Sequence, residues 1–476
     1  MTSCKKKSDG PYFATGIKIG EVTDTSAIVW VRLTRDSLPA PINNPLPIIQ
    51  YRDPETGNIV DSLTKNRDVY APEVSYPEGY NIHNIHGATP GVTGDVKIYY
   101  KPINSQHWFE SEWSSVNPDM DYTTQIWLTD LSSKTTYELK VISRYTDSKS
   151  IGESIGGRFN TAPESNEISE VLFTVSTGQA YQDQDAPEGG FKIYNQMLKI
   201  RPDFFVHTGD IVYYDELAKN QNLARWHWNR TYSLPTNVKF HRFVSSYFIK
   251  DDHDTWINDC WPGMETKFMG DFTFEQGQQI FLEQVPMSDK TYRTFRWGKD
   301  LQIWLMEGRD FRSPNNLPDR PGKTIWGEEQ KKWLQNSVNL SSATFKILIN
   351  PTPIVGPDRK NKFDNHSNNN FTYEGDEVRN FIKNIDNMYI VCGDRHWQYI
   401  SEDTETGIRE YSCGPASNDH AGGWSNEMIM PEHRYLNVTG GFLAGKITRI
   451  DDQSNLIFIH YDVEGNILNT DTLRTE

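Results

Sequence analysis

The chain has 476 residues and carries 48 Lys and Arg against 64 Asp and Glu, a formal net charge of −16. That length exceeds one ordinary domain, and the acidic balance excludes a broad nucleic-acid-binding patch held by electrostatics. No apolar run approaches the roughly 18 residues that span a bilayer, and the four cysteines, Cys4, Cys260, Cys392 and Cys413, are too few and scattered for a disulfide framework or a CxxC zinc site.

At the start, Met1-Thr2-Ser3-Cys4 followed by Lys5, Lys6 and Lys7 resembles a bacterial lipoprotein cleavage site trimmed of its hydrophobic region. The competing reading is a chance cysteine in a tail. Residues 1–10 are therefore expected to be an N-terminal tail whose membrane attachment, if any, runs through a lipid on Cys4. That implies a secreted, periplasmic or outer-surface bacterial lipoprotein.

Residues 13–35 read as strands, with the β-rich run Ala27-Ile28-Val29-Trp30-Val31. A Pro-rich polar stretch, residues 36–92, predicts a long irregular insertion with at most one hairpin. Strand patterns resume at 96–100, 125–128 and 136–145, where Tyr137, Leu139, Val141 and Ser143 alternate on one face. Residues 131–163 resemble the end of a fibronectin type III-like β-sandwich, so residues 11–162 are expected to form one such domain. After Pro163 strands alternate with helices. Strands are predicted at 171–176, 204–207, 247–249, 344–349 and 388–392, a hairpin at 292–306 turning at Gly298-Lys299-Asp300, and helices near 191–198 and at 328–338. Residues 163–476 are accordingly expected to be an α/β catalytic domain.

Chemistry-bearing residues follow those strands: Gly209-Asp210, Asp251-Asp252-His253-Asp254, Asn350 and Gly393-Asp394-Arg395-His396. Strand carboxyl ends of an open α/β sheet share a crevice, so residues distant in sequence converge there. Carboxylates with an amide oxygen suit a hard cation, while an imidazole and a phenolate suit a softer transition metal. Two unlike metal positions follow, and such pairs clamp a phosphoryl group and activate water.

The run from Asp203 to Tyr213 resembles the GDxxY segment of calcineurin-like metallophosphatases. The segments Asp251-Asp252-His253-Asp254, Tyr292-Arg293-Thr294-Phe295-Arg296, Lys346-Ile347-Leu348-Ile349-Asn350 and Gly393-Asp394-Arg395-His396 follow in the order of its alkaline phosphatase D (PhoD-like) branch. The resemblance implies a metallophosphatase-type α/β sandwich preceded by a fibronectin-like domain. It implies Asp210 as bridging ligand, Asp252, Asn350 and Asp394 at a second, oxygen-rich position suited to Ca²⁺, and Tyr213 and His396 at a first position for Fe, Mn, Zn or Mg. His253 is implied as the group that protonates the leaving oxygen. One departure stands out, since the family usually has Ser-Cys-Gln where this chain has Ser176-Thr177-Gly178-Gln179. The thiolate ligand is missing.

Arg395, His420, Arg230 and Gln179 are the candidate substrate-binding residues, with Arg309 and Arg312 as further guanidinium groups able to match phosphate geometry. The expected activity is hydrolysis of a small-molecule or oligomeric phosphate mono- or diester by metal-activated hydroxide. Rivals are a hydrolase of another ester such as sulfate, and a non-catalytic binding protein with a degenerate metal site. A carbohydrate contact through the front domain is left open by the sequence.

Overall fold

The computed structural model describes residues 10–61, 67–450 and 452–475; Cys4 lies outside them. Two large sheets stack face to face. The first has nine strands in the order Ile467–Arg474, Gln453–Tyr461, Phe442–Ile450, Val171–Ser176, Phe204–His207, Ser245–Phe248, Ile17–Gly20, Ala27–Arg32 and Thr123–Leu128. The second has seven, in the order Arg293–Trp297, Leu301–Leu305, Phe345–Asn350, Met388–Cys392, Arg409–Cys413, Gln398–Glu402 and His433–Asn437.

Alternation along each central strand explains the layering. Phe204 and Val206 point into the core between the sheets with Ile347, Ile349 and Val391. Phe205 points the other way, against Ile193, Tyr194 and Met197 of the helix Lys192–Ile200. On the far side Leu348 and Ile390 meet Leu334 and Val338 of Gly327–Asn339 and Val378 of Thr372–Ile382. The result is an α/β sandwich of helix, sheet, sheet and helix layers. Predicted strands at 171–176, 204–207 and 388–392 coincide with those observed. The hairpin turns where Gly298-Lys299-Asp300 led the pattern to break.

The N-terminal strands pack as a β-sandwich, with Ile19, Val29 and Val31 facing Val96, Ile98, Leu139 and Val141 of a second small sheet. They are not a detached unit. Ile17–Gly20 lies parallel to Ser245–Phe248, pairing Gly20 with Ser246, so the front strands extend the nine-stranded sheet. A Cβ on Gly20 would stand 2.5 Å from the Ser246 carbonyl oxygen and 2.6 Å from Pro286, which leaves room for glycine alone.

Residues 36–92 are more regular than composition suggested. A hairpin of Ile48–Arg52 and Ile59–Val60 gains a third strand, Ala71–Ser75, and Tyr51 stacks on Phe268 with ring centroids 5.4 Å apart. Pro72 is tolerated because its strand lies at the edge of this small sheet. The insertion thus packs against the catalytic part instead of looping away. No helix among the described residues is long and apolar enough to cross a membrane.

Candidate metal centre

Asp210, Asp252, Asn350 and Asp394 all follow or end parallel strands of the two sheets, so the stacked layers bring four chain-distant segments to one rim. Asp210 and Asp394 sit at φ 55° and 59°, a left-handed geometry that Asp tolerates better than most side chains. Gly209 precedes the first of these at φ 107°, and a Cβ there would lie 2.6 Å from that of Asp251. The close approach sets the two acidic turns side by side.

Asp210, Asp252 and His253 each offer a ligand atom within 4.8 Å of the others. Asp210 Oδ2 accepts from the Tyr213 hydroxyl at 3.2 Å and faces His396 Nε2 at 3.9 Å. Asp252 Oδ2 accepts from the Asp259 backbone at 2.6 Å. Asp210 Oδ1 and Asp252 Oδ1 are buried without a hydrogen-bond partner. Asp252 Oδ1 has Arg309 Nη2 at 3.6 Å, but Asp210 Oδ1 has no such neighbour, and a buried carboxylate oxygen left unpaired is costly unless a cation joins it, so the donor set fits a metal.

The electrostatics of the cluster differ from residue to residue. Burial pushes the Asp210 carboxyl up to about 6, opposed by His253 and reinforced by Asp252. For Asp252 burial works in the same direction, but Arg309, His253 and Lys362 prevail and hold it well below the usual carboxylate range. Burial, then Asp210 and Asp252, keep the Tyr213 phenol protonated well beyond its ordinary range. His396 is lowered to about 3 by burial and by Arg395 and His253, leaving the neutral imidazole that can donate a lone pair.

The remaining predicted residues divide. Asn350 is buried at the rim, its Oδ1 accepting from the Trp326 indole at 3.1 Å and its Nδ2 donating to Thr352 at 2.6 Å; the amide oxygen keeps a second lone pair. Asp394 is contacted by the Arg395 guanidinium. Arg395 is fully buried and also paired with Asp358, so it braces the motif. His253 Nδ1 meets Asp215 at 2.5 Å, and its ring lies 4.5 Å from that of Tyr213. Burial alone would lower this imidazole, yet Asp215, Asp252 and Asp210 together raise it well above its ordinary value.

His420 joins the cluster directly. Its Nε2 is 2.6 Å from the Tyr213 hydroxyl, its Nδ1 is 2.8 Å from Asp183, and its ring lies 4.2 Å from that of His396. Gln179 is buried with its Nε2 on the Ile211 carbonyl at 3.2 Å and its Oε1 under the Tyr194 hydroxyl at 2.6 Å, so both ends are occupied. Arg230 is held elsewhere, between the rings of Tyr181 and Trp226. Arg309 is spent on Asp251 at 2.6 Å and lies 3.6 Å from Asp252, while Arg312 donates to the Asp364 carbonyl.

Sequence reasoning gave the outer partners no bracing role. Asp215 orients His253, and Asp254 accepts from the Asp251 and Ile211 amides at 2.6 and 3.1 Å, tying two acidic turns together. An acid two residues after Tyr213 was a usable signal. Asp183 had none in its own neighbourhood, because its partner is 237 positions away.

Residues 173–432 match the family model described as PhoD-like phosphatase. Alkaline phosphatase D of Bacillus subtilis (strain 168) is 22% identical over 287 residues, covering 50% of this chain and 48% of that protein. The chain thus spans about half the length of this curated relative. A solved structure of PhoD superposes with a TM-score of 0.71 at 15% identity, covering 98% of this chain and 90% of that one. The purple acid phosphatase PPD1 from yellow lupin seeds gives 0.58 at 13%, covering 95% and 80%. Both show a shared fold. With more than half its length matched to one family model and the acidic turns of that match gathered at one rim, the chain belongs to the PhoD-like phosphatase family.

Proposed function

We propose that the chain is a metal-dependent phosphoesterase acting on phosphate mono- or diesters. The observation that carries this reading is the Asp210 carboxylate, whose Oδ2 faces Tyr213 and His396 while its buried Oδ1 is unpartnered beside Asp252. In this reading Asp210 is shared between two cation positions. Asp252, Asn350 and Asp394 make the oxygen-rich one, fitting Ca²⁺. Tyr213, His396 and His420 make the other, fitting a divalent Fe, Mn, Zn or Mg ion. When bound, the cations supply Lewis acidity toward phosphoryl oxygens and acidify water.

His420 takes a ligand role on two grounds. Its Nε2 is adjacent to the Tyr213 hydroxyl, and its other nitrogen is fixed by Asp183, the arrangement that orients metal-bound imidazoles. His253 acts differently. Asp215 and the neighbouring carboxylates favour its protonated form, so it holds a proton for the leaving oxygen.

The test is a panel of aryl phosphate, bis-aryl phosphate and aryl sulfate assayed before and after chelation and metal return. Turnover of a phosphate ester that falls on chelation and recovers with metal supports the reading. Sulfate turnover alone, or stoichiometric metal with no turnover, replaces it with one of its rivals. Placement as a secreted lipoprotein rests on the Cys4 segment alone, and metabolic labelling with a fatty acid tests it.

A further inference from the structure

A cavity of about 730 Å³ opens between the 36–92 insertion and the residues around Tyr181. Ile42, Leu46, Tyr181, Leu217 and Leu234 give it largely apolar walls, and Arg230 also lines it. That volume lies in the range of small-molecule sites.

Arg230 is 6% exposed and stands over the Tyr181 ring at 4.3 Å and the Trp226 ring at 3.9 Å. Of the other buried arginines, Arg32, Arg293, Arg309 and Arg395 each have a carboxylate partner, and Arg312, without one, donates to the Gly308 and Asp364 carbonyls instead. Among the described residues Arg230 has no carboxylate ion pair. Its Nη2 meets His227 Nδ1 at 3.1 Å and its Nε has no partner. His227 supplies no counter-charge, being held neutral by burial and by Arg230 itself. The acid on the cavity wall, Glu188, is bonded to Asn195 at 2.7 Å. A nearly buried guanidinium without a counter-ion is a costly feature that an anion would offset.

Loops that line the cavity also carry residues that brace the metal centre. Gln182 and Gln184 line it, while Asp183 between them holds His420 at 2.8 Å. Leu217 lines it two residues beyond Asp215, which holds His253.

We propose that this cavity receives the organic portion of the ester, an aromatic group bearing a carboxylate or sulfonate that pairs with Arg230. Tyr181 and the aliphatic side chains of the walls pack against the ring, and the guanidinium fork matches the anionic substituent. The inference rests on the phosphoesterase reading for the other end of the molecule, and names what that end leaves unspecified.

Two measurements on the full chain test it. The first is binding of 8-anilinonaphthalene-1-sulfonate by fluorescence, which needs no turnover. The second is kcat/KM for phenyl phosphates carrying a ring carboxylate on spacers of increasing length, each divided by that of unsubstituted phenyl phosphate. We expect saturable probe binding that weakens about tenfold or more in Arg230→Gln and is largely kept in Arg230→Lys. One spacer should give a ratio of about tenfold that collapses toward unity in Arg230→Gln. Ile42→Asp, at a rim position 72% exposed, should lower both readouts without lowering the melting temperature, so the test survives if Arg230→Gln folds poorly. A flat ratio across all spacers, with probe binding indifferent to Arg230 and Ile42, overturns the inference while phosphate turnover leaves the enzyme reading intact. Arg230-dependent probe binding without turnover of any phosphate ester overturns the assignment as an ester subsite and the enzyme reading with it.

Discussion

The Nε2 of His420 lies 2.6 Å from the Tyr213 hydroxyl, and both border the space that a side chain at position 178 would enter. A Cβ there would meet His420 Cδ2 at 3.2 Å and the Tyr213 oxygen at 3.4 Å. A glycine at this position is therefore coupled to the histidine that leans into the cluster.

Gly178→Cys should consequently disturb the metal centre as well as add a sulfur. Gly178 has φ +47°, so a side chain there carries a backbone cost of about 1–2 kcal/mol. In cobalt-loaded protein the wild type should lack a sulfur-to-metal charge-transfer band and the variant should gain one. His420→Ala should lower metal stoichiometry at one position, and Asp183→Asn should weaken metal affinity by about 10–100-fold. Equilibrium dialysis against a metal buffer reads both. Unchanged stoichiometry in His420→Ala would show that this imidazole is not a ligand.

Asp210→Asn should abolish hydrolysis without lowering the melting temperature of the metal-free protein. The carboxylate is buried, and the pressure of burial on its ionisation means that a neutral amide relieves an unfavourable charge. Calorimetry beside metal analysis checks this. A variant with wild-type metal content and turnover would remove Asp210 from the centre.

His253→Gln should slow esters with poor leaving groups by about 10²–10⁴-fold while barely affecting good ones, because only a basic leaving oxygen needs the proton. Asp215→Asn should show the same pattern to a smaller degree, since it removes the 2.5 Å partner that orients the ring. A leaving-group series with parallel losses would assign His253 a structural role.

Acid should unfold this protein readily, for a reason that does not involve the metal ligands. Burial lowers His207 to about 3 and His460 to about 4, and it lowers His227 and His241 well below the ordinary value. The unfolded chain takes up protons near pH 6.5 that the folded chain refuses. Stability is then full above pH 6.5 and falls as pH drops from there toward the folded values, by about 1.4 kcal/mol per pH unit for each such histidine. His460→Phe should reduce that slope by one proton in urea melts taken between pH 6.5 and 4.5. It should cost about 1 kcal/mol at neutral pH, because the Ser412 carbonyl loses its 3.0 Å donor. An unchanged acid limb would contradict this account.

Gly20→Ala should destabilise the fold by about 1–3 kcal/mol, since the added carbon must fit where the Ser246 carbonyl oxygen stands at 2.5 Å. Chemical denaturation measures it. A neutral result would mean that the junction between front strands and catalytic sheet yields without cost.

Much of this molecule is legible in its sequence because the deciding interactions are local. Short continuous apolar runs at Phe204–His207 and Met388–Cys392 mark strands buried on both faces. Acidic turns directly after them mark the rim where ligands collect. Other features are long-range and leave no local trace. Composition made the 36–92 segment look irregular, yet strand pairing and the stack of Tyr51 on Phe268 order it. Gln179 and Arg395 read as ligand-facing polar residues, but burial commits the first to Tyr194 and Ile211 and the second to Asp358. The Asp183–His420 pair spans 237 positions, and the unpaired state of Arg230 is visible only once its neighbours are known. Local patterning was enough to find the central strands up to residue 392 and the carboxylates at their ends, since both follow from apolar runs and turn chemistry, whereas the six strands from Gln398 to Arg474 carried no reading of their own. Only the tertiary structure decided which polar groups are satisfied by one another and which remain free for a ligand, because that depends on contacts between segments whose separation no local pattern records.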